Sequence, residues 1–221
     1  PKITEEFLLH APDQILELYA VEDWLNDNKM LLKRMNPSAF FAISTADLEK
    51  ISSRSTPNQV LAIVRKKKDP QEITVPPGVF LMLDGIQDPG NFGTIVRIAD
   101  WFGISTILCS PECADLYNPK VVQSTMGSLL RVNVIYTNLA AWCKTNAGAE
   151  VYAATLHGKS IYQRSPLTHG AILMGNESKG VHPELLHLCK EQITIPRTGL
   201  AESLNAAVAT GIILSHLVKQ V

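Results

Sequence analysis

Ile193-Thr-Ile-Pro-Arg-Thr-Gly-Leu-Ala-Glu-Ser-Leu-Asn-Ala-Ala-Val-Ala-Thr-Gly211 is the stretch on which the reading of this chain turns. It predicts a strand, a loop containing Pro196 and Gly199, and a helix whose first turn carries Glu202, Ser203 and Asn205. A strand that ends in a loop aimed at a helix N-terminus suits a small polar ligand. The next turns are built from Ala206, Ala207, Ala209 and Gly211. A helix that only covers a sheet carries larger apolar residues, so these small ones predict close passage of another backbone.

Working outward, the 221 residues suffice for one large domain or two small ones with a sizeable core. With 46% hydrophobic and 19% charged residues the composition is that of a soluble globular protein. No apolar run approaches the roughly 18 residues of a membrane span. No signal-peptide pattern is present, although the chain starts at Pro1 rather than at a methionine, so its start supports no targeting claim. Cys109, Cys113, Cys143 and Cys189 form no CxxC pair or zinc spacing and read as buried reduced thiols, which fits a cytoplasmic protein. The histidines form no HExxH, and no metal site is expected. A formal net charge of −1 means that any nucleic-acid surface must be a local patch.

Residues 1–68 alternate short elements: helix at Glu5–His10, strand at Ile15–Ala20, broken helix over Glu22–Met35, strand at Phe40–Ile43, helix at Asp47–Ile51 capped by Ser44, and strand at Val60–Val64. They form a small α/β module. Residues 69–78, with three prolines and a glycine, read as a semi-rigid linker. Residues 79–221 alternate strand and helix in the α/β manner. Strands are expected at Val79–Leu83, Thr106–Cys109, Leu130–Val134, Val151–Ala154, Ala171–Met174 and Gln192–Ile195. Helices are expected at Asn91–Phe102, stopped by Gly103, at Asn138–Asn146 and at Pro183–Cys189. The result is a mostly parallel sheet with helices on both faces.

Three strand-end loops share a richness in Gly and Asn. In the first, Leu83–Arg97, Asp88 and Asn91 can cap the following helix and Arg97 stands out in an almost uncharged stretch; its bland reading is an Arg97–Asp100 ion pair. GNFGTIVR is not GxGxxG, which disfavours a nucleotide-dependent oxidoreductase. The second, Ile172–Val181, can be a turn and nothing more. The third is the closing segment. Open α/β sheets bind ligands beyond the carboxyl ends of their strands, so three such loops favour one shared pocket.

Together these segments resemble the three motifs of the SpoU/TrmH-type branch of SPOUT RNA methyltransferases. The matching residues are Asp88-Pro-Gly-Asn-Phe-Gly-Thr-Ile-Val-Arg97, Met174-Gly-Asn-Glu-Ser-Lys-Gly180, and Ile195-Pro196 with Glu202-Ser-Leu-Asn-Ala-Ala-Val-Ala209. Asn118–Arg131 is similar to the family's intervening segment. Residues 1–68 resemble less sharply the ribosomal-protein-like substrate-binding domain often fused ahead, best over Ile51–Ala62, with its beginning expected to be missing.

The resemblance implies a Rossmann-like sheet with a deep trefoil knot, a homodimer formed through the knotted domain, and S-adenosylmethionine as cofactor. It implies methyl transfer to a ribose 2′-hydroxyl of RNA, ribosomal RNA ahead of transfer RNA. Thr155, Leu156, Met174, Gly175, Asn176, Ile195, Pro196, Ser203 and Leu204 would hold the cofactor. Arg97 would be the principal catalytic residue. Asn91 and Asn205 would orient the ribose or Arg97, Glu177 would pin its loop, and Ser203 would cap the last helix. RNA contacts would come from Arg65, Lys66, Lys67, Lys68, Lys120, Arg131 and Lys179, the basic run being otherwise a solvated loop. The rival of another class, a catalytically silent RNA-binding or ribosome-assembly factor, is disfavoured by the intact Asn91, Arg97, Glu177, Ser203 and Asn205.

Overall fold

Ile15, Leu18 and Ala20 of strand β1 (Ile15–Ala20) are buried and build the core of the first of two units in the computed structural model. The structure describes residues 1–52, 58–67, 70 and 72–219. The chain divides into Pro1–Asp69 and Pro70–Val221. Lys68 and the Thr56–Pro57 part of the Ile51–Ala62 segment lie outside the described residues.

In the first unit, α1 (Lys2–His10) inserts Phe7 and Leu8 into the core. The helix expected after β1 is broken into α2 (Glu22–Asp27) and α3 (Lys29–Leu32) at Asn28, whose Nδ2 donates to the Trp24 carbonyl at 2.9 Å. Strand β2 (Phe40–Ala42) follows. Ser44 Oγ accepts the Asp47 N–H at 3.1 Å and starts α4 (Thr45–Ile51). With β3 (Val60–Val64) the sheet has the order β2-β1-β3, β1 running parallel to β2 and antiparallel to β3.

The second unit is a fully parallel sheet of six strands in the order β6-β5-β4-β8-β7-β9. These are β4 (Val79–Asp84), β5 (Thr106–Cys109), β6 (Asn133–Tyr136), β7 (Val151–Ser160), β8 (Gly170–Gly175) and β9 (Glu191–Thr194). Its helices are α5 (Pro89–Trp101), α6 (Pro119–Thr125), α7 (Leu139–Thr145), α8 (Pro183–Leu188) and α9 (Ala206–Leu217). Phe80, Leu81, Met82 and Leu83 are all buried, as expected of a strand covered on both faces. Phe80 and Met82 join Leu173, Trp142 of α7 and Leu185 of α8 in one core cluster. Alternation along the strand turns Leu81 and Leu83 to the opposite face, where α5 packs on β5 and α9 on β8. Ile73 also packs against the cluster and its carbonyl accepts Trp142 Nε1–H at 3.1 Å, so part of the 69–78 stretch is docked on the second unit.

Several expectations need correction. The strand expected at Leu130–Val134 is β6, from Asn133: α6 ends at left-handed Met126 and Gly127, and Ser128–Leu130 then form a 3-10 turn. Strand β7 runs on to Ser160. Helix α5 begins two residues before Asn91, because Asp88 Oδ1 accepts the Asn91 N–H at 2.7 Å and Pro89 occupies the first turn. The closing helix begins at Ala206, leaving Glu202 and Ser203 in the loop. Its cap is Asn205, not Ser203, because Asn205 Oδ1 takes both the Ala207 and the Val208 N–H, at 3.0 and 3.2 Å. Among the described residues, a Cβ on Gly211 would find only Ile98 Cδ1 at 3.8 Å, not the close backbone expected there.

Candidate functional site

The loops after β4, β8 and β9 meet through a chain of side-chain hydrogen bonds. Asn205 Nδ2 donates to Asn91 Oδ1 at 2.8 Å, and Asn91 Nδ2 donates to Glu177 Oε1 at 2.7 Å. Asn91 is therefore a bridge between loops rather than a helix cap. Asn176 fixes the same β8 loop: its Nδ2 donates to the Gly85 carbonyl at 2.8 Å and its Oδ1 accepts the Ser178 and Lys179 N–H groups. Asp84 Oδ2 takes the His182 N–H at 2.7 Å. The loop is thus held at both ends by the end of β4, and its middle by α5. Such a web orders the backbone before any ligand arrives.

Beside this web lies a cavity of about 540 Å3, within the roughly 300–1,000 Å3 of small-molecule sites. Buried Met174, Ile193 and Ile213 give it an apolar floor. Its rim is formed by the β7 segment Ala154–His157, the β8 loop and residues 194–197 and 201–204. The β7 segment projects because Ala154 and Lys159 both pair with Ile193, which expels the residues between them. Two glycines make this possible. A Cβ on Gly158 would be driven into the Gln192–Ile193 backbone, and one on Gly175 into that of Gly180–Val181. Arg197 Nη1 holds the last loop by donating to the Ala201 carbonyl at 2.9 Å.

Of the residues singled out from the sequence, Thr155, Leu156, Met174, Gly175, Asn176, Glu177, Lys179, Ile195, Pro196, Ser203 and Leu204 all line this cavity. Asn91, Asn205 and Arg97 do not. Arg97 is exposed on α5, and its expected bland partner is engaged elsewhere: Asp100 receives Arg131 Nη2 at 2.9 Å and Nε at 2.9 and 3.1 Å. Arg131 thus has its charge balanced by Asp100, whereas Lys120 is exposed at the start of α6. In the first unit, Arg65 and Lys66 are exposed and Lys67 is half-buried, desolvation lowering its ammonium pKa below the lysine value. Sequence reasoning missed Gln192, whose Oε1 accepts Thr155 Oγ1–H at 3.3 Å, and Arg197. The signals were Gly158 interrupting a strand and Arg197 within Pro196–Gly199.

Among the described residues no cluster of His, Cys, Asp and Glu could hold a metal ion, and no helix is long and apolar enough to cross a membrane. Burial pushes the Cys109 thiol up, and the Cys189 thiol to about 12. All four cysteines are free.

A parallel sheet with Asn- and Glu-bearing loops joined at its carboxyl edge is the arrangement of an α/β ligand-binding domain. The chain belongs to the SpoU rRNA Methylase family, whose model matches residues 78–215. It is 32% identical to the 23S rRNA (guanosine(2553)-2′-O)-methyltransferase RlmP of Bacillus subtilis, over 80% of this chain and 71% of that one. It is 27% identical to the 23S rRNA (guanosine-2′-O-)-methyltransferase RlmB of Escherichia coli strain K12, over 98% and 95%. Among solved structures it is similar to the AdoMet-bound rRNA methyltransferase of Sinorhizobium meliloti, with a TM-score of 0.81 and 28% identity over 96% of this chain and 84% of that one.

Proposed function

We propose that this protein is a cytoplasmic, S-adenosylmethionine-dependent methyltransferase that modifies a ribose 2′-hydroxyl of ribosomal RNA, at a guanosine as in the relatives' names. The observation that carries the reading is the Asn205–Asn91–Glu177 chain, which joins the three strand-end loops beside one cavity of suitable size.

The cavity fits the cofactor chemically. Met174, Ile193 and Ile213 offer an apolar bed, the expelled β7 segment and the β8 loop offer backbone polar groups, and the Glu177 and Glu202 carboxylates suit a cationic ligand. Thr155, Leu156, Gly175, Asn176, Ile195, Pro196, Ser203 and Leu204 would hold it. When bound, S-adenosylmethionine supplies an electrophilic methyl group on sulfonium. The protein's own task is alignment and electrostatics. As a guanidinium, Arg97 offers a fixed cation and a fork of N–H donors rather than a base. It therefore acts by gripping an RNA phosphate and stabilising charge on the attacking oxygen. Asn91 holds Glu177 and Asn205 in register, keeping the two ligand loops at a fixed distance.

The knot and the dimer belong to the same reading. Strand β9 lies at the sheet edge beyond β7, yet α9 returns to pack on α5, which requires the chain to pass the β8 loop. A trefoil knot accounts for that path. Helix α9 carries no Asp, Glu, Lys or Arg, and Leu204, Val208 and Trp101 of α5 are exposed. Such a face favours a second copy, which would bring an Arg97 to a cavity that lacks its own. The first unit, with Arg65, Lys66, Lys67 and Lys68 at its end, is read as the substrate-binding module; Lys120 and Lys179 extend the RNA contacts, with Arg131 secondary because Asp100 holds it.

The test is incubation of the protein with labelled S-adenosylmethionine and unmodified ribosomal RNA or transfer RNA, with the methylated nucleoside identified. Label in a 2′-O-methylribose of ribosomal RNA is expected. Label in transfer RNA alone would move the substrate, and cofactor binding without transfer to any RNA would favour a silent RNA-binding factor.

A further inference from the structure

A second cavity, of about 570 Å3, opens on the other side of the β8 loop, at the carboxyl ends of β4, β5 and β6. Nothing in the chemistry above uses it. Asn176, Lys179 and Gly180 line both cavities, so one loop forms the wall between them. Leu139 and Leu185, both buried, provide an apolar floor. Around it stand Gln87, Glu112, Asn138 and Lys179, all exposed. Among the described residues, the Gln87 amide, the Glu112 carboxylate and the Lys179 ammonium have no hydrogen-bond or ion-pair partner, and Asn138 commits only its Oδ1, to the Ala141 N–H at 2.9 Å.

An apolar floor with a carboxylate and two amides at its edge matches the chemistry of a nucleobase, an apolar face with a polar edge. Single-stranded RNA is read by splaying out a base, stacking it on an apolar surface and hydrogen-bonding its edge. The carboxylate chooses among bases. Guanine alone presents two adjacent donors, N1–H and the 2-amino group, to which one carboxylate binds in bidentate fashion with charge assistance. Lys179, on the shared wall, suits the phosphate that accompanies the nucleotide. A base seated here would leave its ribose facing the loop that also bounds the first cavity, where the chemistry is proposed to occur.

We infer that this second cavity is the seat of the target nucleobase, and that Glu112 selects guanine by its N1–H and 2-amino edge. The inference rests on the methyltransferase reading, and its test separates the two. Glu112→Gln, an exposed isosteric change, is compared with the wild type for cofactor affinity, for KM and kcat on ribosomal RNA, and on RNA carrying inosine at the target, which lacks the 2-amino group. The expected result for Glu112→Gln is a KM raised roughly tenfold, an unchanged cofactor Kd, and loss of the wild type's preference for guanosine over inosine. Equal KM values and an unaltered preference in an active variant would overturn the base assignment while leaving methyl transfer intact. Binding is also read without catalysis, by titrating guanosine 5′-monophosphate and following backbone amide resonances. Shifts centred on Gln87, Glu112 and Asn138 support the site, and shifts confined to residues 155–157 and 195–204 contradict it. Failure of the wild type to bind cofactor or to methylate any RNA would instead sink the parent reading.

Discussion

The two flanks of the large sheet are built on different principles. On the β4-β5-β6 flank each strand pairs in unbroken parallel register, and buried side chains such as Leu81, Ile107 and Leu108 hold it together. On the β8-β7-β9 flank the register slips at Ala154, four residues are expelled, and Gly158 and Gly175 lie against neighbouring backbone. One flank is stabilised by apolar packing; the other trades regular pairing for a cavity braced by polar side chains. The irregularity is therefore concentrated where binding is proposed, as expected of sites that break local rules.

Substitutions can break this contrast. The largest effect should come from Arg97→Ala, which touches neither flank's packing: methyl transfer should fall roughly 100- to 1,000-fold, with cofactor affinity changed only a few-fold. A large loss of cofactor binding by calorimetry would show Arg97 to be misassigned. Next, Leu108→Ala should cost about 2–5 kcal/mol of stability by denaturant unfolding and leave the cofactor Kd of the folded protein unaltered. Gly175→Ala should do the reverse, raising that Kd roughly tenfold or more through displaced loop backbone, with a smaller stability loss.

A finer test concerns the polar web. Asn91→Ala removes the donor to Glu177 and should cost about 1–3 kcal/mol. Asn205→Ala should cost about 1 kcal/mol through its cap. The double variant should cost less than the sum, since the two side chains touch; strict additivity would mean that the contact at 2.8 Å is energetically silent. The smallest effect lies at the far end of β7. The hydrogen bond from Lys190 to Glu150, and then that from Tyr152, hold the Glu150 carboxyl below its ordinary range. Its folded pKa being depressed, this stabilisation is present above the ordinary carboxylate pKa and disappears as pH falls through the lowered value. An acid-unfolding series should show slightly less acid sensitivity in Glu150→Gln.

The same contrast explains what the sequence disclosed. Elements set by local chemistry were legible: β1, β3 and β5 follow from their apolar runs, and α4 from Ser44. The residue types of the three loops pointed to a shared site without revealing its wiring. At Asn91 a cap and a bridge demand the same amide, and only the tertiary neighbours Glu177 and Asn205 decide between them. Ser203 and Asn205 are both good caps, and Asn205 prevails because its side chain reaches two helical N–H groups. The expelled β7 segment depends on pairing with a strand more than thirty residues later, which no local pattern encodes. The second cavity, assembled from four separate segments, left no sequence signal at all.

The most direct test of the account is transfer of tritium from methyl-labelled S-adenosylmethionine into ribosomal RNA lacking the modification, followed by digestion to nucleosides. The account predicts label in 2′-O-methylguanosine, abolished by Arg97→Ala while equilibrium cofactor binding persists. Cofactor bound by the wild-type protein with no label in any ribose, or label found on a base, would contradict it.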